Sequence, residues 1–306
     1  MSRVVVVKYP AGGERSAPDQ AHYQLLLAAG LKLLTGESDV RQAIGKSIPR
    51  GVVGLKTNCL SPRLTHTPIA LTDALAELLV AAGFAENDIV VWERTNRELK
   101  RAGYRLNASS FGRRCLGTDT NQIGYSSQHY NFEDVNSRVS RILTQMVDSN
   151  INLPVLKDHS IAGLSGGLKN MFGAIHNPNK YHDYNCNPFA AQVNNLKPIR
   201  MKNRLTIMDA FRVQYHGGPG LKEEYINYYG GLIIAADPVA ADRVGLEILE
   251  HLRQRNNLPS LAKTGRPVNY LKSAEQTGLG VADLKKIDLV MRMVEKDGKQ
   301  QEGKLF

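Results

Sequence analysis

An α/β fold, with a mainly parallel or mixed sheet and helices on both faces, is what the sequence predicts, and three observations predict it. Short apolar runs alternate with amphipathic stretches along most of the 306 residues. Helix start and stop signals bracket several of those stretches. Short polar clusters follow five of the apolar runs. Strands that alternate with helices are covered on both faces and read as continuous apolar runs.

In chain order, residues 4–7 (four valines) predict the first strand, and 20–34 has helical periodicity that ends near Gly36. Residues 52–55 predict the second strand. Thr67-Pro68 then opens a helix over 69–82, with a cap residue, a first-turn proline and a terminating Gly83. Further strands are predicted at 89–92, 148–156 (with 151–154 as its core), 205–208 and 232–235. Helices are predicted at 238–253 and 268–276. The stretch 103–137 is polar and weakly periodic, so it reads as an irregular connection. The chain is read as one α/β unit over 1–306, divisible into lobes 1–147 and 148–295, with a charged, solvated tail at 296–306.

Composition narrows the function classes. The 42% hydrophobic content allows a sizeable core, and the net charge of +10 favours anionic partners over cationic ones. No nucleic-acid motif accompanies the charge, so a nucleic-acid binder is not expected. Cys59, Cys115 and Cys186 are widely spaced, which argues against a disulfide framework and against an intrinsic iron–sulfur cluster. No apolar run approaches the ~20 residues needed to span a bilayer. Met1-Ser2-Arg3 followed by the valine run reads as a strand rather than a signal peptide, so a cytoplasmic location is expected.

The polar clusters are Lys56-Thr57-Asn58, Glu93-Arg94, Lys157-Asp158-His159, Asp209 and Asp237. In open α/β sheets ligands bind beyond the carboxyl ends of the strands. Parallel neighbours would therefore bring Lys56, Glu93, His159, Asp209 and Asp237 to one rim. Each also has a plainer reading; Asp237 before Pro238 is a good helix N-cap.

Residues 159–173 are the richest segment. Gly163, Gly166 and Gly167 let a backbone approach a ligand, and exposed N–H groups there form an anion nest. Lys169 adds a positive charge or a nucleophilic amine. No Gly-Lys-Ser/Thr is present, so this is not a triphosphate-binding loop. The alternative is a glycine turn with Lys169 reaching to water. His159, His176, His182 and His216 fall in one third of the chain beside Asp158, Asp183 and Asp209, a donor set suited to a divalent metal. His66 stands just before a helix N-terminus, where an anion binds well.

On these residues the chain resembles the family known as domain of unknown function 362. The matching blocks are Leu55-Lys56-Thr57-Asn58, Thr65-His66-Thr67-Pro68, 151–159, 167–173, 236–242 and Thr277-Gly278-Leu279-Gly280, in the family's order. Some relatives carry a ferredoxin-like module, which implies an iron–sulfur redox protein as a partner. The run from His159 through Ala162-Gly163-Leu164-Ser165-Gly166-Gly167-Leu168-Lys169 also resembles a segment of the nickel-pincer lactate racemases. That likeness implies Lys169 as a tether or catalytic cation and His159 as a ligand or general acid/base. It also implies a metal-containing cofactor.

The expected function is an enzyme, isomerase or oxidoreductase, acting on a small anionic, carboxylate-containing molecule. Lys169, His159 and Asp158 would be catalytic, with Asp158 or Asp209 orienting His159. Lys56, Asn58, His66, Gly166, Gly167 and Asn170 would bind the anion. His176, His182, Asp209 and His216 are candidate metal ligands. A non-catalytic cofactor- or ligand-binding protein that partners an iron–sulfur protein is the competing expectation.

Overall fold

The computed structural model describes residues 1–10, 18–61 and 63–306. Its strands are β1 (Ser2–Lys8), β2 (Val53–Lys56), β3 (Ile89–Glu93), β4 (Arg114–Gly117), β5 (Tyr130–Phe132), β6 (Val135–Ser137) and β7 (Ser149–Asn152). They continue as β8 (Val155–His159), β9 (Gly163–Ser165), β10 (Asn203–Gln214), β11 (Ile226–Tyr228), β12 (Gly231–Ala235), β13 (Ile287–Val294) and β14 (Gln300–Glu302). Among the described residues 12 of these form one mixed sheet, with the main path β14-β13-β1-β12-β10-β7-β2-β3-β4.

From β10 across to β4 every neighbour is parallel. β12 runs antiparallel to both β10 and β1, while β13 is parallel to β1. Strands from residues 1–147 and from 148–295 therefore interleave in a single sheet. The four valines of β1 are fully buried because both faces of that strand are covered, which is why the run does not alternate.

Helices α1 (Gln20–Thr35), α2 (Val40–Ser47) and α3 (Ile69–Ala81) cover one face. The other face carries α6 (Phe189–Asn195), α8 (Pro238–Arg255) and α9 (Tyr270–Gln276). The short α4 (Asn96–Arg101) packs Leu99 on the first side, and α5 (Gly167–Asn170) and α7 (Lys197–Lys202) pack Leu168 and Ile199 on the second. The ends of α1 follow the sequence signals: Asp19 accepts from His22 N, and Gly36 closes the helix at φ 78°.

Four expectations are corrected. Thr67 does not cap α3: its hydroxyl accepts from Asn58 N and donates to Leu153 O, tying the loop to the sheet. The stretch 103–137 contributes the edge strand β4 and the β5–β6 hairpin. The tail, though exposed, places β14 against β13. The predicted strand 148–156 is two strands, broken at Leu153-Pro154. After the break the chain leaves β7's place beside β2 and continues along β10 as β8. No described helix is long and apolar enough to cross a membrane. All three cysteines are buried and free.

Candidate functional site

Successive side chains on a strand point to opposite faces, and on β8 that alternation sorts three polar residues. Lys157 and His159 face a cleft of about 290 Å³ at the carboxyl ends of β2, β3 and β8. Asp158 faces the other way. Its carboxylate accepts from Arg266 Nη1 at 2.8 Å and Gly218 N at 3.1 Å, with Arg253 Nη1 at 3.7 Å. It is a fully paired structural anion, so it does not orient His159, and the expected role is corrected on that ground.

β9 folds back on β8, pairing Gly163 with His159, and the chain then turns through Gly166 into α5. The amides of Gly167 and Leu168 do face an anion, but it is the protein's own. Asp242 of α8 accepts from Gly167 N at 2.5 Å and Leu168 N at 3.0 Å. A Cβ on Gly166 would collide with that carboxylate, which explains the glycine. These two amides are thus not available to hold a substrate anion, contrary to the sequence expectation. Burial pushes the Asp242 carboxyl up to about 7, against the pull of the same two amides.

α5 delivers Lys169 into the cleft. Its Nζ lies 3.1 Å from His182 Nε2 and 3.5 Å from the centroid of the Phe172 ring. Burial pushes its amine down to about 8, while the neighbouring Cys186 thiol pulls it back up. Lys157, 1% exposed, donates to Thr65 O at 2.8 Å and Asn58 Oδ1 at 3.0 Å, and burial takes it to about 8 as well. Among the described residues neither lysine has a carboxylate within 4.0 Å. The cleft's own carboxylates are engaged elsewhere. Glu93 pairs with Lys56 at 2.5 Å and accepts from Cys59 N and Arg94 N, and Glu98 pairs with Arg94 at 2.6 Å.

The two imidazoles have opposite tautomers. His159 Nδ1 accepts from the amides of Ile161 and Ala162, both at 3.1 Å, so the ring proton sits on Nε2. Burial, reinforced first by Lys169, pushes its pKa down to about 3, and the ring is neutral at pH 7. His182 Nδ1 lies 3.0 Å from Pro178 O and donates to it, which leaves Nε2 to accept from Lys169. Burial and Lys169 lower its pKa too. The rings are 5.9 Å apart.

Lys157 is fixed by a one-way chain of amides. Lys157 donates to Asn58 Oδ1, Asn58 Nδ2 to Asn170 Oδ1 (3.1 Å), Asn170 Nδ2 to Asn152 Oδ1 (2.7 Å), and Asn152 Nδ2 to Gly167 O (2.8 Å). Such a chained network locks its members' orientation.

Of the sequence-named residues, the cleft gathers Asn58, His159, Gly166, Lys169, Asn170 and His182, with Lys56 behind Glu93. It does not gather the others. His66 is half-buried and bonded to Thr67 O, Asp209 lies against Tyr23 and Phe211 N, and Asp158 and Gly167 point away. His176 packs on Tyr125 and His216 on Tyr225. Asp237 follows the antiparallel β12 and so lies at the opposite rim, where it caps α8 and accepts from Ser2 Oγ. Among the described residues no three His, Cys, Asp or Glu side chains converge as a metal-ligand set. Sequence reasoning placed Lys157 in a polar cluster but gave it no role, though the strand period could have paired it with His159, and it missed Asp242, which only the tertiary fold brings to Gly167.

Comparison with solved structures finds a crystal structure of a protein from Thermotoga maritima, 13% identical, with a TM-score of 0.42. The match covers 77% of this chain and 59% of that one, so the chain spans little more than half of that protein's length. No curated protein matches. The family model of domain of unknown function 362 matches residues 53–247, a span that runs from β2 through Asp242 and contains the whole lysine–histidine cleft. The chain belongs to that family.

Proposed function

We propose that the protein is an enzyme acting on a small, carboxylate-containing anion bound in the lysine–histidine cleft. The observation that carries this reading is the pair of buried lysines without carboxylate partners, Lys157 and Lys169, facing one cavity with an uncharged His159. A buried cation is costly unless an anion pairs with it, and a substrate carboxylate supplies that anion.

Each group has a definite role in this reading. His159 acts through Nε2–H, as a neutral donor to a substrate oxygen on which charge develops, in the manner of oxyanion-type donors. With the ring neutral, its part is this Nε2–H donor rather than an imidazolium. Lys169 holds the carboxylate as an ammonium or attacks as a free amine. His182 Nε2 stands where it takes the Lys169 proton and returns it. His159 does not fit as a metal ligand: Nδ1 faces two amide donors, which keeps the proton on Nε2 and occupies its lone pair.

The test is a melting-curve screen of small mono- and dicarboxylates on the full chain, followed by NMR of the same mixtures for turnover. A ligand at 100 times its Kd is expected to add about 2.7 kcal/mol of stability. A screen in which no carboxylate raises the melting temperature sinks the reading. Stoichiometric retention without turnover moves the protein to the non-catalytic class.

A further inference from the structure

We propose, resting on the anion-binding reading above, that the cleft is built for a dicarboxylate whose second carboxylate seats on Lys157 and Asn58, with the reacting carbon beside His159 and the first carboxylate at Lys169. Charge counting supports two anionic groups. Four cations reach the cleft or its wall, Lys56, Arg94, Lys157 and Lys169. Glu93 pairs with Lys56 and Glu98 with Arg94, which leaves two cations without partners.

The donors at the Lys157 end are open. An ammonium has three protons, and Thr65 O and Asn58 Oδ1 take two of them. The Asn58 amide has two, and Asn170 takes one. One N–H from each side chain is left for a ligand, and the amide chain through Asn170 and Asn152 holds both in place.

The spacing suits two separate carboxylates rather than one phosphate. Lys157 and His159 are same-face neighbours on β8, about 7 Å apart along the strand. Lys169 meets the His182 ring, whose centroid lies 5.9 Å from that of His159. Lys157 thus stands beside His159 on β8, while Lys169 is held on a different element, α5. Phosphate sites favour a bidentate arginine or free helix-end amides. Here Arg94 is tied to Glu98, and the amides of Gly167 and Leu168 are tied to Asp242.

The experiment is calorimetric titration of the full chain with malate and lactate, which differ by one carboxylate, and with inorganic phosphate. Malate is expected to bind at least about tenfold more tightly than lactate, the scale of one charge-assisted hydrogen bond. Lys157→Met should remove that advantage, lowering malate affinity by more than it lowers lactate affinity. Should that variant fail to fold, the wild type carries its own readout. At pH 8 malate is expected to draw in about twice as many protons as lactate, measured in buffers of different ionisation enthalpy, because each anion restores the charge of one lysine. Equal affinities, a malate preference that survives Lys157→Met, equal proton uptake, or phosphate as the tightest ligand each overturn the proposal. Lactate binding as tightly as malate leaves the anion-binding reading standing; binding of no carboxylate at all removes both.

Discussion

Replacing Lys169 by alanine is expected to leave the chain folded and to weaken carboxylate binding by about ten- to a hundredfold, the loss of one hydrogen bond to a charged group. The fold survives because the native state gains little from this ammonium: it is 8% exposed, has no carboxylate beside it, and meets only the His182 imidazole, the Cys186 thiol and the face of Phe172. A drop from 10.5 to about 8 disfavours the charged form by roughly 3 kcal/mol, an order of magnitude that offsets the packing lost with the side chain. The folded pKa lies below the unfolded one, so the native state sheds this proton first. The penalty is full below about pH 8 and fades as pH rises from there to 10.5. Wild type should therefore gain stability relative to Lys169→Ala across that window, measured by urea unfolding at pH 7, 8, 9 and 10. Lys169→Arg should not restore binding, since a planar guanidinium does not fit an ammonium's place against Phe172 and His182. A flat stability difference across the window, or full affinity in the arginine variant, contradicts this account of the cleft.

The sheet was legible where one strand carries one signal. The apolar runs at 52–55, 89–92, 205–208 and 232–235 each mark a strand, with Val52 just outside β2, because a sheet covered on both faces demands such runs. β14, all polar and exposed, escaped because that edge strand buries nothing, and β4 because its buried Cys115-Leu116-Gly117 is too short a run to stand out. Strand direction was not legible at all. β12 has the composition of its parallel neighbours but runs against them, and that reversal alone carries Asp237 to the far rim. The site was half legible. Lys169 and His159 stood out in a glycine-rich run, but the glycines were read as making room for a substrate. Gly166 makes room for Asp242, 76 positions later in the chain, and local sequence holds no trace of that contact.

Asp242 should accordingly be the residue whose loss costs most stability. Asp242→Ala leaves the buried amides of Gly167 and Leu168 without acceptors, at about 1–3 kcal/mol each, so a loss of about 2–6 kcal/mol is expected in urea unfolding at pH 7. Asp242→Asn retains one acceptor oxygen and should lose roughly half as much. Both variants should also weaken carboxylate binding, although Asp242 does not line the cleft, because those amides begin the four-residue helix that aims Lys169. The pH dependence has a definite sign. Burial raises the Asp242 carboxyl from 3.8 to about 7, so its contribution is fully present below pH 3.8 and is lost as pH rises through 7. The stability gap between wild type and Asp242→Ala should therefore be wider at pH 5 than at pH 8. A gap that widens instead towards pH 8 means the ionised carboxylate is the stabilising form, held by the two amides strongly enough to outweigh its burial.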